Sequence, residues 1–266
     1  MRTVWHLITL VLTLVLTACA TTPARPESSS TRLAQSIEGD TVDAVLGHLE
    51  NRGKSLRDLS GVVKVTTNEQ DSGTVVTVEG KFWFQNRDDA RNQDVNLRIS
   101  YHKWIQDNSA HPMDTEYVLA DGWLCERDHM TKVQNRWQIA AAGERVDLLA
   151  LDEAPIPLPI GQPPSRMHNA FDIQLLGNTM DGVPNTVHLR MVPKPGTHLA
   201  HRFATIDLWV DLISHLPTRS QMLHADRPVV DTIVLEHLQI NQGMRPDQFH
   251  LPELRGWTQH DEPYER

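Results

Sequence analysis

Apolar and polar positions along this chain alternate with two different periods. Val42, Val45, Leu46 and Leu49 recur at i, i+3, i+4 and i+7, the spacing that places side chains on one face of a helix. Asp40 stands before them as a candidate N-cap and Gly53 after them as a candidate stop, which predicts a first helix over 41–52. From residue 56 the period becomes two. A strand begins over 56–67. Over 74–85, Val76, Val78, Gly80, Phe82 and Phe84 share one face, with Thr77, Glu79, Lys81 and Trp83 on the other. Over 95–105, Val95, Leu97, Ile99 and Tyr101 alternate with Asn96, Arg98, Ser100 and His102. Asp71-Ser72-Gly73 and Asp121-Gly122 carry the turn chemistry of hairpins. Residues 117–120 and 123–126 flank the second turn, and 132–139 form the next strand.

Residues 145–152 carry Val146, Leu148, Leu149 and Leu151 and predict a short helix. It runs into an apolar stretch over 154–164 interrupted by Pro155, Pro157, Pro159, Pro163 and Pro164, which can be neither a central strand nor a helix interior. This stiff loop reads either as a surface segment pinned to the core or as a lid over an apolar groove. Strands resume over 171–176, 183–192, 203–212, 219–224 and 229–240. Strands with one apolar and one wetter face belong to antiparallel sheets covered on one side. The fold class expected is α+β: a single antiparallel sheet of about ten strands with a few short helices.

Composition narrows the function classes. The chain has 266 residues, 39% of them hydrophobic, and a net charge of −9. A mildly acidic chain without a basic run lacks the cationic stripe that replaces phosphate counterions, so no nucleic-acid partner is expected. Two cysteines exclude a disulfide framework, and the one long apolar stretch excludes a polytopic membrane protein.

That stretch is the leader. Met1-Arg2 gives a short positive start, 7–15 is nearly continuous apolar sequence, and Leu16-Thr17-Ala18-Cys19 closes it. This resembles a bacterial lipoprotein signal peptide, cut before a cysteine that is then acylated. The resemblance implies Cys19 as the lipid attachment site and anchoring by more than one acyl chain, palmitate among them. Ala20, rather than aspartate, follows the cysteine, which by resemblance to enterobacterial sorting implies the outer membrane. Residues 1–18 are then signal peptide. Residues 19–39, rich in Ser, Thr, Pro, Arg and Glu, form a flexible tether. Residues 40–255 are the folded domain and 256–266 a polar tail.

Ile206-Asp207-Leu208-Trp209-Val210-Asp211 precedes Leu216-Pro217-Thr218-Arg219, then Leu238-Gln239-Ile240-Asn241, then Pro246-Asp247, Phe249 and Leu251-Pro252. This order is similar to the closing strands of the periplasmic lipoprotein-carrier superfamily, which includes the LolA and LolB proteins and the sensor domain of RseB. The first helix and the Asp121-Gly122 hairpin before Trp123 fit the same layout. The resemblance covers most of 40–255. It implies a sheet curved into a half-open barrel with helices in its mouth and a concave face that holds acyl chains. Two departures stand out. No proline lies between Gln85 and Asn96, so Arg98 carries over no lid-locking role, and the 154–164 loop is unusually rich in proline.

Other chemistry is thin. Fourteen histidines invite a metal reading, yet His198 and His201 follow Pro195-Gly196 without a nearby carboxylate, and Asp128-His129 is a charged turn. Cys125, beside Trp123 and Leu124, reads as a small hydrophobe. Asp207 and Asp211 share a strand face around Trp209 and read as solvent-facing charges, with Trp209 packing on Phe203 or a neighbouring strand. No hydrolase or phosphate-binding signature occurs. The expectation is no enzyme, no cofactor and no metal, but an outer-membrane lipoprotein whose partner is an acylated lipoprotein or lipid. The alternative is an envelope sensor or scaffold that binds protein partners without lipid. Phe82, Phe84, Leu97, Ile99, Val187, Leu189, Ile206, Leu208 and Val210 are the cavity candidates, unless a one-residue register change exchanges the faces.

Overall fold

The computed structural model describes residues 41–89, 92–139, 159–177, 183–245 and 247–263. Helix α1 (Val42–Ser55) is capped by Thr41, whose hydroxyl accepts from the Ala44 amide at 3.2 Å. The cap is thus one residue later than the expected Asp40. The helix also runs through Gly53 to Ser55 and ends where the Leu56 amide donates to the Gly53 carbonyl.

Among the described residues, twelve strands form one sheet: β1 (Asp58–Glu69), β2 (Thr74–Asp89), β3 (Asn92–Gln106), β4 (Ser109–Ala120), β5 (Trp123–Asp128), β6 (Val133–Gln138), β7 (Phe171–Gly177), β8 (Thr186–Pro193), β9 (Phe203–Asp211), β10 (Pro217–His224), β11 (Val229–Ile240) and β12 (Thr258–Glu262). The spatial order is β12-β6-β5-β4-β3-β2-β1-β11-β10-β9-β8-β7. Two meanders, β1–β6 and β7–β11, are joined where β1 pairs antiparallel with β11. The outer strands β12 and β7 do not pair with each other, so the curved sheet stays open.

The β4–β5 turn has Asp121 at φ 52° and Gly122 at φ 76°, both left-handed, as a two-residue hairpin demands. Asp107 and Asn108 do the same between β3 and β4, a turn that leaves β4 longer than its sequence signal. The sheet is antiparallel except at β12, which pairs in parallel with β6, so the expected polar tail supplies a strand.

Two helices lie where loops were expected. Helix α2 (Pro164–Ala170) begins on Pro164, whose fixed φ and missing amide suit the first helical turn. Helix α3 (His198–Arg202) is capped by Thr197. The expected 145–152 helix and the prolines at 155 and 157 lie outside the described residues, as do Cys19 and the tether.

The core lies between one face of the sheet and these helices. Val45, Leu46 and Leu49 of α1, Met167 of α2 and Leu199 of α3 join a single apolar cluster with Leu59, Val63, Met191, Met222 and Ile233 of the sheet. The opposite face of β3–β6 is covered by the chain after β11. There Arg98 donates to the Gln248 carbonyl at 3.0 Å and Arg127 to the Pro252 carbonyl at 2.8 Å.

Candidate ligand-binding face

Strand register decides which side chains share the concave face. Phe82 stands opposite Ile99, and Phe84 opposite Leu97. Val187 stands opposite Val210, and Leu189 opposite Leu208. Ile206 is opposite Met191 and Met222. Directly opposed residues point the same way, so each pair lies on one face. All of the sequence-derived candidates fall in or against the single apolar cluster. Leu97 and Ile99 are half-buried against it; Phe82, Phe84, Val187, Leu189, Ile206, Leu208 and Val210 are buried. Leu189, Ile206 and Leu208 have 0% exposure, so the chain's own side chains fill this part of the interior.

Helix α1 is the cover over that face, and its polar contacts lie along its length. Near its start Asp43 pairs with His168 of α2 at 2.6 Å. At its middle the His48 ring stacks on His215 at 4.2 Å. Further along, Arg52 donates to the Ser214 carbonyl, and the Gly161 amide donates to the Leu49 carbonyl. Burial, helped by the nearby His48 and Arg52 charges, holds the His215 pKa below the usual histidine value.

The concave face changes character toward β5. One row runs Phe82–Ile99–Tyr117–Glu126–Asn135 across β2 to β6. It starts apolar and ends polar. Tyr117 Oη donates to Glu126 Oε1 at 2.6 Å, and Asn135 Nδ2 donates to Oε2 at 3.1 Å. Glu126 is buried, and burial together with its charge raises the Tyr117 pKa. Sequence reasoning missed this trio because its members are joined only by register. Ser220, opposite Leu208 and Ile233, adds a buried hydroxyl without a hydrogen-bond partner.

The convex face holds the polar residues considered above, and it corrects one reading. Asp207 is buried rather than solvent-facing: His188 Nε2 lies 2.7 Å from its Oδ1, and Arg190 donates to the same oxygen at 2.9 Å. Burial opposes its charge, but these hydrogen bonds outweigh it and hold the carboxyl below its usual range. Trp209 stacks on His188 of β8 at 4.2 Å and carries Arg219 of β10 over its ring at 4.4 Å, so of the two partners expected it packs on the neighbouring strands and not on Phe203. Asp211 instead caps the β9–β10 turn, accepting from the Ile213 and Ser214 amides. Arg98 pairs with Glu116 at 2.6 Å beneath the C-terminal segment.

Cys125 is buried, and burial pushes its thiol up to about 11, which leaves it protonated at neutral pH. It lines a half-open groove of about 640 Å³ between β4–β6 and the C-terminal segment, together with Trp123, Arg127, Arg136 and Phe249. Among the described residues no group of three or more histidines, cysteines or carboxylates could hold a metal ion, and His198 and His201 are exposed on α3. No helix among the described residues is long and apolar enough to cross a membrane.

The chain is similar in structure to MucB and to a LolA superfamily protein. It matches the crystal structure of MucB at 19% identity with a TM-score of 0.45, over 80% of this chain and 64% of MucB, so it spans about two thirds of that protein's length. A LolA superfamily protein from Nitrosomonas europaea matches at 11% identity and a TM-score of 0.33, over 80% of this chain and 99% of its own. A conserved protein from Thermus thermophilus matches at 11% identity and a TM-score of 0.47, over 82% and 98%. MucB has also been solved in complex with MucA from Pseudomonas aeruginosa. No family model and no curated protein matches the chain.

Proposed function

We propose that this protein is a non-catalytic envelope lipoprotein, tethered through Cys19 to the outer membrane, that takes an acyl chain against the concave face of its sheet. The observation that supports the reading is the continuity of the apolar face. From Leu59 and Val63 through Phe82, Phe84 and Ile99 on one side, and through Ile233, Leu208 and Leu189 on the other, the sheet offers hydrocarbon-compatible surface covered by short helices. Burial of apolar area drives such binding at about 25 cal/mol per Å². A helix as short as α1 is held mostly by packing on its apolar face, so a ligand that offers equivalent packing can replace it. Such a ligand stabilises the open arrangement only by its differential affinity for it. Residues 40–255 form the ligand-binding unit in this reading, with 19–39 as the spacer.

A fluorescent fatty acid titrated into delipidated protein tests the proposal. Saturable uptake, together with co-purifying lipid in native mass spectrometry, supports it. Absence of both removes lipid binding. The anchor is tested separately: Cys19→Ser releases the protein from carbonate-washed membranes, and a variant that stays bound contradicts the lipid tether.

One observation favours a second reading, an envelope sensor or scaffold that binds protein partners. The concave face is filled by the chain's own side chains, Leu189, Ile206 and Leu208 being fully buried. In that reading α1 never leaves the sheet, and crosslinking in the envelope recovers a protein partner while fatty-acid uptake is absent.

A further inference from the structure

The concave face is not apolar throughout, and its polar end holds a carboxyl group. Glu126 is 8% exposed, yet no lysine or arginine among the described residues lies within ion-pair distance of it. Its side-chain hydrogen bonds are those from Tyr117 and Asn135, one to each oxygen. A buried carboxylate is normally compensated by a cation, and two neutral donors leave roughly half of its acceptor sites open. The other buried acids among the described residues differ. Glu116 has Arg98 at 2.6 Å, and Asp207 has Arg190 at 2.9 Å. Asp58, at the end of β1, takes the Gly243 backbone amide on both oxygens. Glu126 therefore stands apart as a buried carboxylate with neither a cation nor a backbone amide on its oxygens.

Its place in the sheet says where a partner would come from. Glu126 lies in the same cross-strand row as Phe82 and Ile99, roughly 14 Å from Phe82 at about 4.8 Å per strand. Tyr101 and Tyr117, edge to face at 6.2 Å, mark the change from hydrocarbon-like to polar surface. A molecule laid across this row would have its chain on Phe82, Phe84, Leu97 and Ile99 and its polar end at Glu126. We infer that the Tyr117–Glu126–Asn135 cluster is a headgroup site for an acylated ligand whose polar end carries an ammonium group or another N–H donor. This rests on the acyl-binding reading above and adds the class of headgroup to it. An ammonium supplies the missing positive charge and several donors to the open acceptor sites. An anionic headgroup without an amine meets Glu126 as a like charge.

The experiment compares two single-chain lipids with the same acyl chain, lysophosphatidylethanolamine and lysophosphatidylglycerol, with free palmitate, a carboxylate without an amine, as the acyl-chain control. Binding to delipidated wild-type protein is read by competition against a fluorescent fatty acid. A charge-assisted hydrogen bond in a buried site predicts a preference of about tenfold or more for the ethanolamine lipid. E126Q keeps the shape, removes the charge and abolishes most of the preference, while palmitate binding stays or improves. Y117F reduces the preference less, because the carboxylate remains. Equal binding of the two lipids by wild type, or a preference unchanged in E126Q, overturns the headgroup site and leaves acyl binding standing. Failure of palmitate and both lipids to bind wild type overturns the acyl-binding reading and this inference together. The wild-type lipid ratio is informative even if E126Q does not fold.

Discussion

Gly53 of α1 lies directly against Gly161, so close that a Cβ on Gly53 would overlap the Gly161 backbone. This contact seats α1 on the segment leading into α2, beside the hydrogen bond from the Gly161 amide to the Leu49 carbonyl. Gly53 is therefore needed for close approach and not as the helix stop its position suggested.

Gly53→Ala forces α1 and the Gly161 segment apart, and both are backbone that cannot give way. The variant is expected to lose about 1–3 kcal/mol in urea unfolding, the usual cost of overpacking. Gly47, around which a Cβ meets nothing within 4 Å, is the control: Gly47→Ala in the same helix leaves stability unchanged or raises it.

The His48–His215 stack makes α1 sensitive to acid. His215 has a folded-state pKa below that of the unfolded chain, so the unfolded state binds more protons. Its contribution to stability is therefore complete above the unfolded value of about 6.5 and is lost as pH falls below it. Melting temperature should drop between pH 7.5 and 5.5. His215→Asn keeps a residue suited to the left-handed backbone at φ 54° and removes the titration. It should show a smaller drop over the same range.

Asp207 is a carboxylate whose stability contribution fades at lower pH. Its carboxyl is held below the usual range, so its contribution is present above the unfolded pKa of about 3.9 and is lost as pH falls further. Asp207→Asn leaves His188 and Arg190 without their anion and is expected to cost about 2–4 kcal/mol at pH 7. The difference from wild type should shrink toward pH 3, when measured by urea unfolding at each pH.

Phe249, 7% exposed, fastens the C-terminal segment over β3–β6. Phe249→Ala should cost about 3 kcal/mol or more, as for other buried aromatics. It also uncovers the groove that Cys125 lines, so labelling of Cys125 by a thiol reagent, slow in wild type, should accelerate.

The sheet was largely legible in the chain because period-two alternation is a local property. The strand expected over 229–240 coincides with β11, and the Asp121-Gly122 turn joins β4 to β5 as its residues require. Elements without that alternation escaped. Strand β12 is exposed at every position and has no apolar face to betray it. Helix α2 is seven residues long and opens on prolines that read as breakers, although Pro164 starts it. The face shared by Phe82, Leu97 and Leu189 followed from alternation, but its polar end did not. Nothing local ties Tyr117 to Glu126 or His188 to Asp207, because strand pairing brings them together. Asp207 looked solvent-facing for the same reason: its partners lie on the next strand.

Photocrosslinking with a diazirine-bearing fatty acid, followed by peptide mass spectrometry, tests the central claim most directly. Ligand bound between α1 and the sheet predicts adducts on the peptides carrying Phe82, Phe84, Leu97, Ile99, Leu189 and Leu208, suppressed by excess palmitate. Adducts confined to the convex face or to the groove beside Cys125, or no competable adducts, would contradict it.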